Sequence, residues 1–151
     1  MSSRKDRLGA IRHIVETMHI STQEELIAEL EKRGFEVTQA TVSRDISDLG
    51  LLKVKVTIPG TAQGTKQVYS LPEVERLRSL LAEFLVSIDR AENLVVVKTN
   101  PGTAQAVALA IDTVRWPDVL GTVGGDDTIL IITRNASAGE FVTKRLSALR
   151  V

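Results

Sequence analysis

The sequence contains no cysteine, which excludes disulfides, thiolate catalysis and cysteine-held zinc. Its two histidines, His13 and His19, both fall in the first helical segment, leaving a metal site among the later carboxylates without histidine support. Aromatic residues make up 3% of the chain, with a single Trp and a single Tyr, so aliphatic and alanine surfaces have to supply any interface. Net charge is also lacking: 19 Lys+Arg stand against 19 Asp+Glu, giving no global bias toward nucleic acid. The apolar runs at 94–97 and 129–132 are far short of the roughly 20 residues a membrane span needs. The charged N-terminus lacks an apolar signal core, so a cytosolic location is expected.

What is present is ordinary globular composition, 43% hydrophobic and 25% charged over 151 residues, enough for one domain or two small ones. Leu8, Ile11, Ile14, Val15 and Met18 recur at three- and four-residue steps and mark one face of a first helix. Ser21-Thr22-Gln23-Glu24 reads as a capping box with Ser21 and Glu24 as its partners. The helix it opens buries Leu26, Ile27 and Leu30 and closes at Gly34. Thr38 caps a third helix that runs to Leu49 and stops at Gly50.

The third helix places Val42, Ile46 and Leu49 on a buried stripe. Ala40, Arg44 and Ser47 fall on the opposite face, flanked by Thr41 and Ser43, with Gln39 at the helix start. Small residues, hydroxyls and one arginine let a helix lie close to a duplex, with hydroxyls for phosphates and a guanidinium fork for guanine. A polar outer face is also what most surface helices carry. The following segment tips the balance, because Leu52, Val54, Val56 and Ile58 alternate with Lys53, Lys55 and Thr57. A tip over Pro59–Thr65 and a return strand over Lys66–Ser70 complete a hairpin. Three helices followed by a basic hairpin make a winged helix-turn-helix, with Arg44, Lys53, Lys55 and Lys66 as its basic face.

Leu71-Pro72-Glu73 reads as a stiff, polar boundary, dividing a domain at 1–71 from another at 72–151. In the second, a helix carries Leu77, Leu80, Leu81, Phe84 and Leu85, and a strand over 94–97 is continuously apolar, as when both faces are covered. An alanine-rich helix, strands at 119–123 and 128–133 around Gly124-Gly125-Asp126-Asp127, and a last helix from about residue 140 follow. The order α-β-α-β-β-α is a small α/β layer, and so small a core favours burial in an oligomer. The fold class is therefore α/β in two domains.

The carboxylates of Asp112, Asp126 and Asp127 admit several chemistries. Glycine and aspartate together suit a hairpin turn with positive φ. A general acid/base pair is conceivable, but no nucleophile or oxyanion motif accompanies it, and no catalytic residue is assigned. A guanidinium fits better, because paired carboxylates match its planar fork.

Taken in order, Ser21–Leu26, Thr38–Ile46, Pro101–Ala106 through Asp112, and Gly121–Thr128 resemble the bacterial arginine repressor family across nearly the whole chain. The resemblance implies a regulator that binds operator DNA and controls arginine biosynthesis and catabolism, with L-arginine as co-repressor and no other cofactor. It implies a homo-hexamer of two stacked trimers with arginine bound between them. Ser43 and Arg44 match the family's DNA-contacting pair, alongside the candidates Gln39, Thr41, Ser47, Lys53 and Lys55. Gln105, Asp112, Asp126 and Asp127 match its arginine-binding set. The competing expectations are a winged-helix sensor of another small amino acid or polyamine, and a DNA-bridging accessory protein for recombination. A vestigial enzyme or metal-binding second half is disfavoured by the missing nucleophile and histidine.

Overall fold

The computed structural model describes residues 3–57 and 64–150 and divides the chain into two compact units, 1–72 and 73–151. The expected apolar Ile58 and most of the hairpin tip, 58–63, lie outside the described residues.

In the first unit, α1 (Arg4–Thr17) starts earlier than the apolar spacing suggests, because Ser3 and Asp6 form a reciprocal capping box. Helix α2 (Gln23–Lys32) is capped by Thr22, whose hydroxyl accepts from the Glu25 amide at 3.1 Å. The Ser21–Glu24 box is thus displaced by one residue. The Glu25 carboxylate accepts from the Ser21 amide, and the buried Ser21 hydroxyl is left without a partner. Gly34, at φ +87, ends α2, with Phe35 N–H donating to Leu30 and Gly34 N–H to Glu31. This paired closure satisfies carbonyls that the helix end orphans. Helix α3 (Gln39–Leu49) has Thr38 at its N-cap and Gly50, at φ +66, at its end. The core gathers Ile11, Ile14, Val15, Ile20, Leu26, Leu30, Val42 and Tyr69, with Ile46 and Leu49 against it. Both histidines are exposed, and His19 lies beyond the end of α1 rather than within the first helix.

Strands β1 (Leu52–Thr57) and β2 (Thr65–Ser70) pair antiparallel, with Lys53 opposite Tyr69 and Lys55 opposite Gln67. Leu52 is exposed rather than half-buried. The two units divide within the expected Leu71-Pro72-Glu73 segment, but that segment is not a polar linker: Leu71 is buried, and Pro72 is the first residue of α4 (Pro72–Phe84). Proline suits that position, since its missing N–H would be unpaired there anyway.

The second unit holds one strand more than its apolar pattern suggests. Leu85 leaves the helix to begin β3 (Leu85–Ala91), which turns through Glu92-Asn93 into β4 (Leu94–Thr99). After α5 (Ala104–Val114) come β5 (Val119–Gly124), β6 (Thr128–Thr133) and α6 (Ala136–Leu149). Asn135 caps α6 by accepting from the Ala138 amide at 2.8 Å, so this helix starts ahead of the expected position. The sheet is antiparallel throughout, in the order β3-β4-β6-β5.

Val95, Val97, Ile129 and Ile131 share one fully buried face. Both α5 and α6 lie on it: an added Cβ on Gly124, opposite Ile129, would touch Ala108, and one on Gly139 would meet Thr133 Oγ1. Leu94, Val96, Leu130 and Ile132 point to the other face and are only half-buried, with Val123 beside them 62% exposed. The continuous apolar run of β4 is therefore covered by α5 and α6 on one side alone. The architecture is two-domain α/β, with a helical, hairpin-bearing first unit and a helix-on-sheet second unit.

Candidate nucleic-acid interface and ligand site

On α3 the sequence has placed every large apolar side chain inward, which turns the remaining positions out. Gln39, Ala40, Ser43, Arg44 and Ser47 are exposed. Thr41 is half-buried, and its hydroxyl is 3.0 Å from that of Thr38 inside the N-cap, so it serves the helix end as well as the outer face.

The inner flank of α3 holds a residue the apolar pattern did not reveal. Asp45 is buried and takes a two-pronged ion pair from Arg7 of α1, with Nε to Oδ2 at 2.6 Å and Nη2 to Oδ1 at 3.1 Å. The Asp45 hydrogen bond raises the Arg7 pKa against the opposing effect of burial. A charged residue at a buried helical position, with an arginine in a neighbouring helix, was the available signal.

Lys53 and Lys55 are exposed and share one face of the hairpin, the ammonium of Lys53 lying 5.1 Å from the Tyr69 ring centre. Lys66 stands opposite Val56 and therefore points to the other face. The expected basic face loses Lys66 by strand alternation alone.

In the second unit, Gln105 and the Gly124–Asp127 turn come together. Gln105 Nε2 donates to the Gly124 carbonyl at 2.6 Å, and the Asp126 carbonyl accepts from the Gly102 and Ala104 amides. The Asp127 carbonyl accepts from Thr99 N–H, while its Oδ1 accepts from Thr128 Oγ1 at 2.9 Å. Thr128 Oγ1 in turn accepts from Lys98 Nζ at 2.9 Å. Asp112 lies two helical turns from Gln105, roughly 10 Å along the axis, where Thr122 Oγ1 donates to its carboxylate at 2.9 and 3.0 Å. The structure thus brings Gln105, Asp126 and Asp127 to one place and sets Asp112 further along α5. Thr122 and Thr128 lie within the Gly121–Thr128 motif without an assigned role, and Lys98 lies outside the motifs.

The turn lacks the feature that would make its glycines purely conformational. None of residues 124–127 has a positive φ. A Cβ at Gly124 would find only ordinary contacts at 3.5 Å. The carboxylates of Asp126 and Asp127 are exposed. Among the described residues no cluster of three acidic, histidine or cysteine side chains is arranged to hold a metal, and no helix is long and apolar enough to cross a membrane.

Comparison with known proteins gives matches to both units. Residues 2–77 match the family described as "Arginine repressor, DNA binding domain", and residues 81–148 the one described as "Arginine repressor, C-terminal domain". Curated relatives include an arginine repressor of Exiguobacterium sibiricum, 47% identical over 93% of this chain and 94% of its own length. Another from Carboxydothermus hydrogenoformans is 50% identical over 85% of this chain and 87% of its own length. One from Desulfitobacterium hafniense is 46% identical over 92% and 93%.

Proposed function

Because the chain belongs to the arginine repressor family, we propose that it represses transcription by binding operator DNA in response to L-arginine. It is a regulator and not an enzyme. In this reading α3 enters the major groove, with Arg44 on a base edge and Ser43 on a phosphate, flanked by Gln39, Thr41 and Ser47. Lys53 and Lys55 grip phosphate beside the groove. The genes controlled are those of arginine synthesis and breakdown, and the protein works in the bacterial cytoplasm.

The observation that carries the ligand assignment is the turn between β5 and β6. Two adjacent exposed carboxylates stand beside Gln105 on a backbone whose glycines relieve no positive φ. Such a pair suits a guanidinium, which delivers planar, two-pronged hydrogen bonds that an ammonium cannot. One of Gln105 and Asp112 is then left to hold the α-amino or carboxylate end.

The half-buried second face of the sheet supports association, since a unit this small gains stability by covering apolar surface. Six copies, as two trimers, would also supply the linked half-site contacts that one winged helix cannot. Where Asp126 and Asp127 face their counterparts across paired trimers, unliganded carboxylates repel. Arginine bound there offsets that repulsion, so ligand binding and trimer pairing are coupled reciprocally.

Calorimetry and sedimentation test this together. L-Arginine is expected to bind and convert trimers to hexamers at low protein concentration, with Asp127→Asn weakening both and L-lysine doing neither. Equal heats for lysine and arginine, or a monomer at every arginine concentration, would contradict it.

A further inference from the structure

Arg4, Lys5 and Arg7 all stand in the first turn of α1. Cations at a helix N-terminus oppose the helix dipole, so helix stability alone does not account for them. Arg7 is engaged by Asp45. Arg4 also reaches across to α3, where its Nη2 donates to Asp48 Oδ2 at 2.8 Å, with the two side chains 62% and 51% exposed. An ion pair so exposed adds little to stability.

Its position suggests another use. Asp48 follows Ser47 directly and lies four residues after Arg44, about 40° round the helix from it. A carboxylate there borders the outward face of α3. It repels phosphate, and residues four apart on a helix are neighbours that can pair, so it also competes for the Arg44 guanidinium. Arg44 itself is exposed.

We propose that Arg4 is a positioning residue for DNA recognition, holding Asp48 so that this acid neither repels the backbone nor captures Arg44. The proposal rests on the DNA-reading role of α3 stated above. Arg4 acts through Asp48 and requires no contact of its own with DNA.

The test is a double-mutant cycle in the full-length protein: wild type, Arg4→Ala, Asp48→Asn and the double variant. Each is titrated, with L-arginine present, against DNA from upstream of its own gene and against single-base variants of that DNA. Arg4→Ala is expected to weaken binding about three- to fivefold, the most that so exposed a pair can transmit, and to blur preference at the base that Arg44 reads. Asp48→Asn is expected to bind at least as tightly as wild type. The double variant is expected to return to within about twofold of wild type and to regain the base preference. Thermal unfolding of each variant separates these effects from a loss of fold.

Full affinity in Arg4→Ala overturns the proposal. So does a loss that persists in the double variant, which would make Arg4 a direct phosphate contact, and so does a loss with base preference intact. Failure of the wild type to bind overturns the DNA-reading role and the proposal together, whereas absent coupling in proteins that bind overturns only the role of Arg4.

Discussion

Arg7 of α1 and Asp45 of α3 are joined by two hydrogen bonds, at 2.6 and 3.1 Å, with only 3% of the aspartate side chain exposed. The pair fixes the helix next to the one residue, Arg44, on which base reading depends in the proposed function. Removing one partner leaves the other charge buried without compensation, which costs about 3–5 kcal/mol in such sites. Arg7 is partly exposed, so Asp45→Ala should fall near the lower bound. Chemical denaturation of the variant is expected to show the first unit unfolding early.

Gly139 sits on α6 where an added Cβ would lie 2.7 Å from the Glu92 backbone carbonyl and 3.3 Å from Thr133 Oγ1. Alanine would favour the helix by about 1 kcal/mol, but the nearest obstacle is backbone in the β3–β4 turn, where Glu92 already holds φ +56. Overpacking of this kind costs about 1–3 kcal/mol. Gly139→Ala is therefore expected to lower the melting temperature, while Ala138→Gly, a neighbour without that clash, serves as the control for helix propensity. A rise in melting temperature for Gly139→Ala would contradict the close approach.

Burial, reinforced by the Glu24 carboxylate, raises the Tyr69 phenol above its ordinary 10.0. Because the folded protein resists ionisation, this contribution is fully present below the unfolded pKa and is lost as pH rises through the folded one. Unfolding free energy measured upward through about pH 10 should fall more steeply for wild type than for Tyr69→Phe. Parallel curves would contradict it.

The helices and the outward face of α3 were legible because their information is local. Val42, Ile46 and Leu49 recur at helical spacing, and Thr38 and Gly50 mark the ends. Strand β3 was not, because it is an edge strand with mostly exposed residues and follows directly on the Leu77–Phe84 helical pattern. The capping serine at 21 was one residue out because Ser21-Thr22 and Glu24-Glu25 offer two overlapping boxes. In the candidate site, Gln105, Asp126 and Asp127 were visible as motif residues. Lys98 reaches Thr128, beside Asp127, through the β4–β6 register, and Thr122 reaches Asp112 through the packing of β5 against α5, neither of which the chain order displays.

Arg44→Ala is expected to cost about 1–3 kcal/mol of specific binding and to relax preference at one base position. Lys53→Ala and Lys55→Ala should instead weaken binding to all sequences and flatten its dependence on salt. Binding titrations at several salt concentrations, on operator and on scrambled DNA, separate the two patterns.

A mobility-shift titration on DNA from upstream of the protein's own gene, with and without L-arginine, bears most directly on the whole proposal. Arginine is expected to tighten binding to that DNA at least tenfold, a coupling of about 1.4 kcal/mol, while leaving scrambled DNA weakly bound. Asp127→Asn should abolish the increment. Identical titrations with and without arginine would contradict an arginine-responsive repressor.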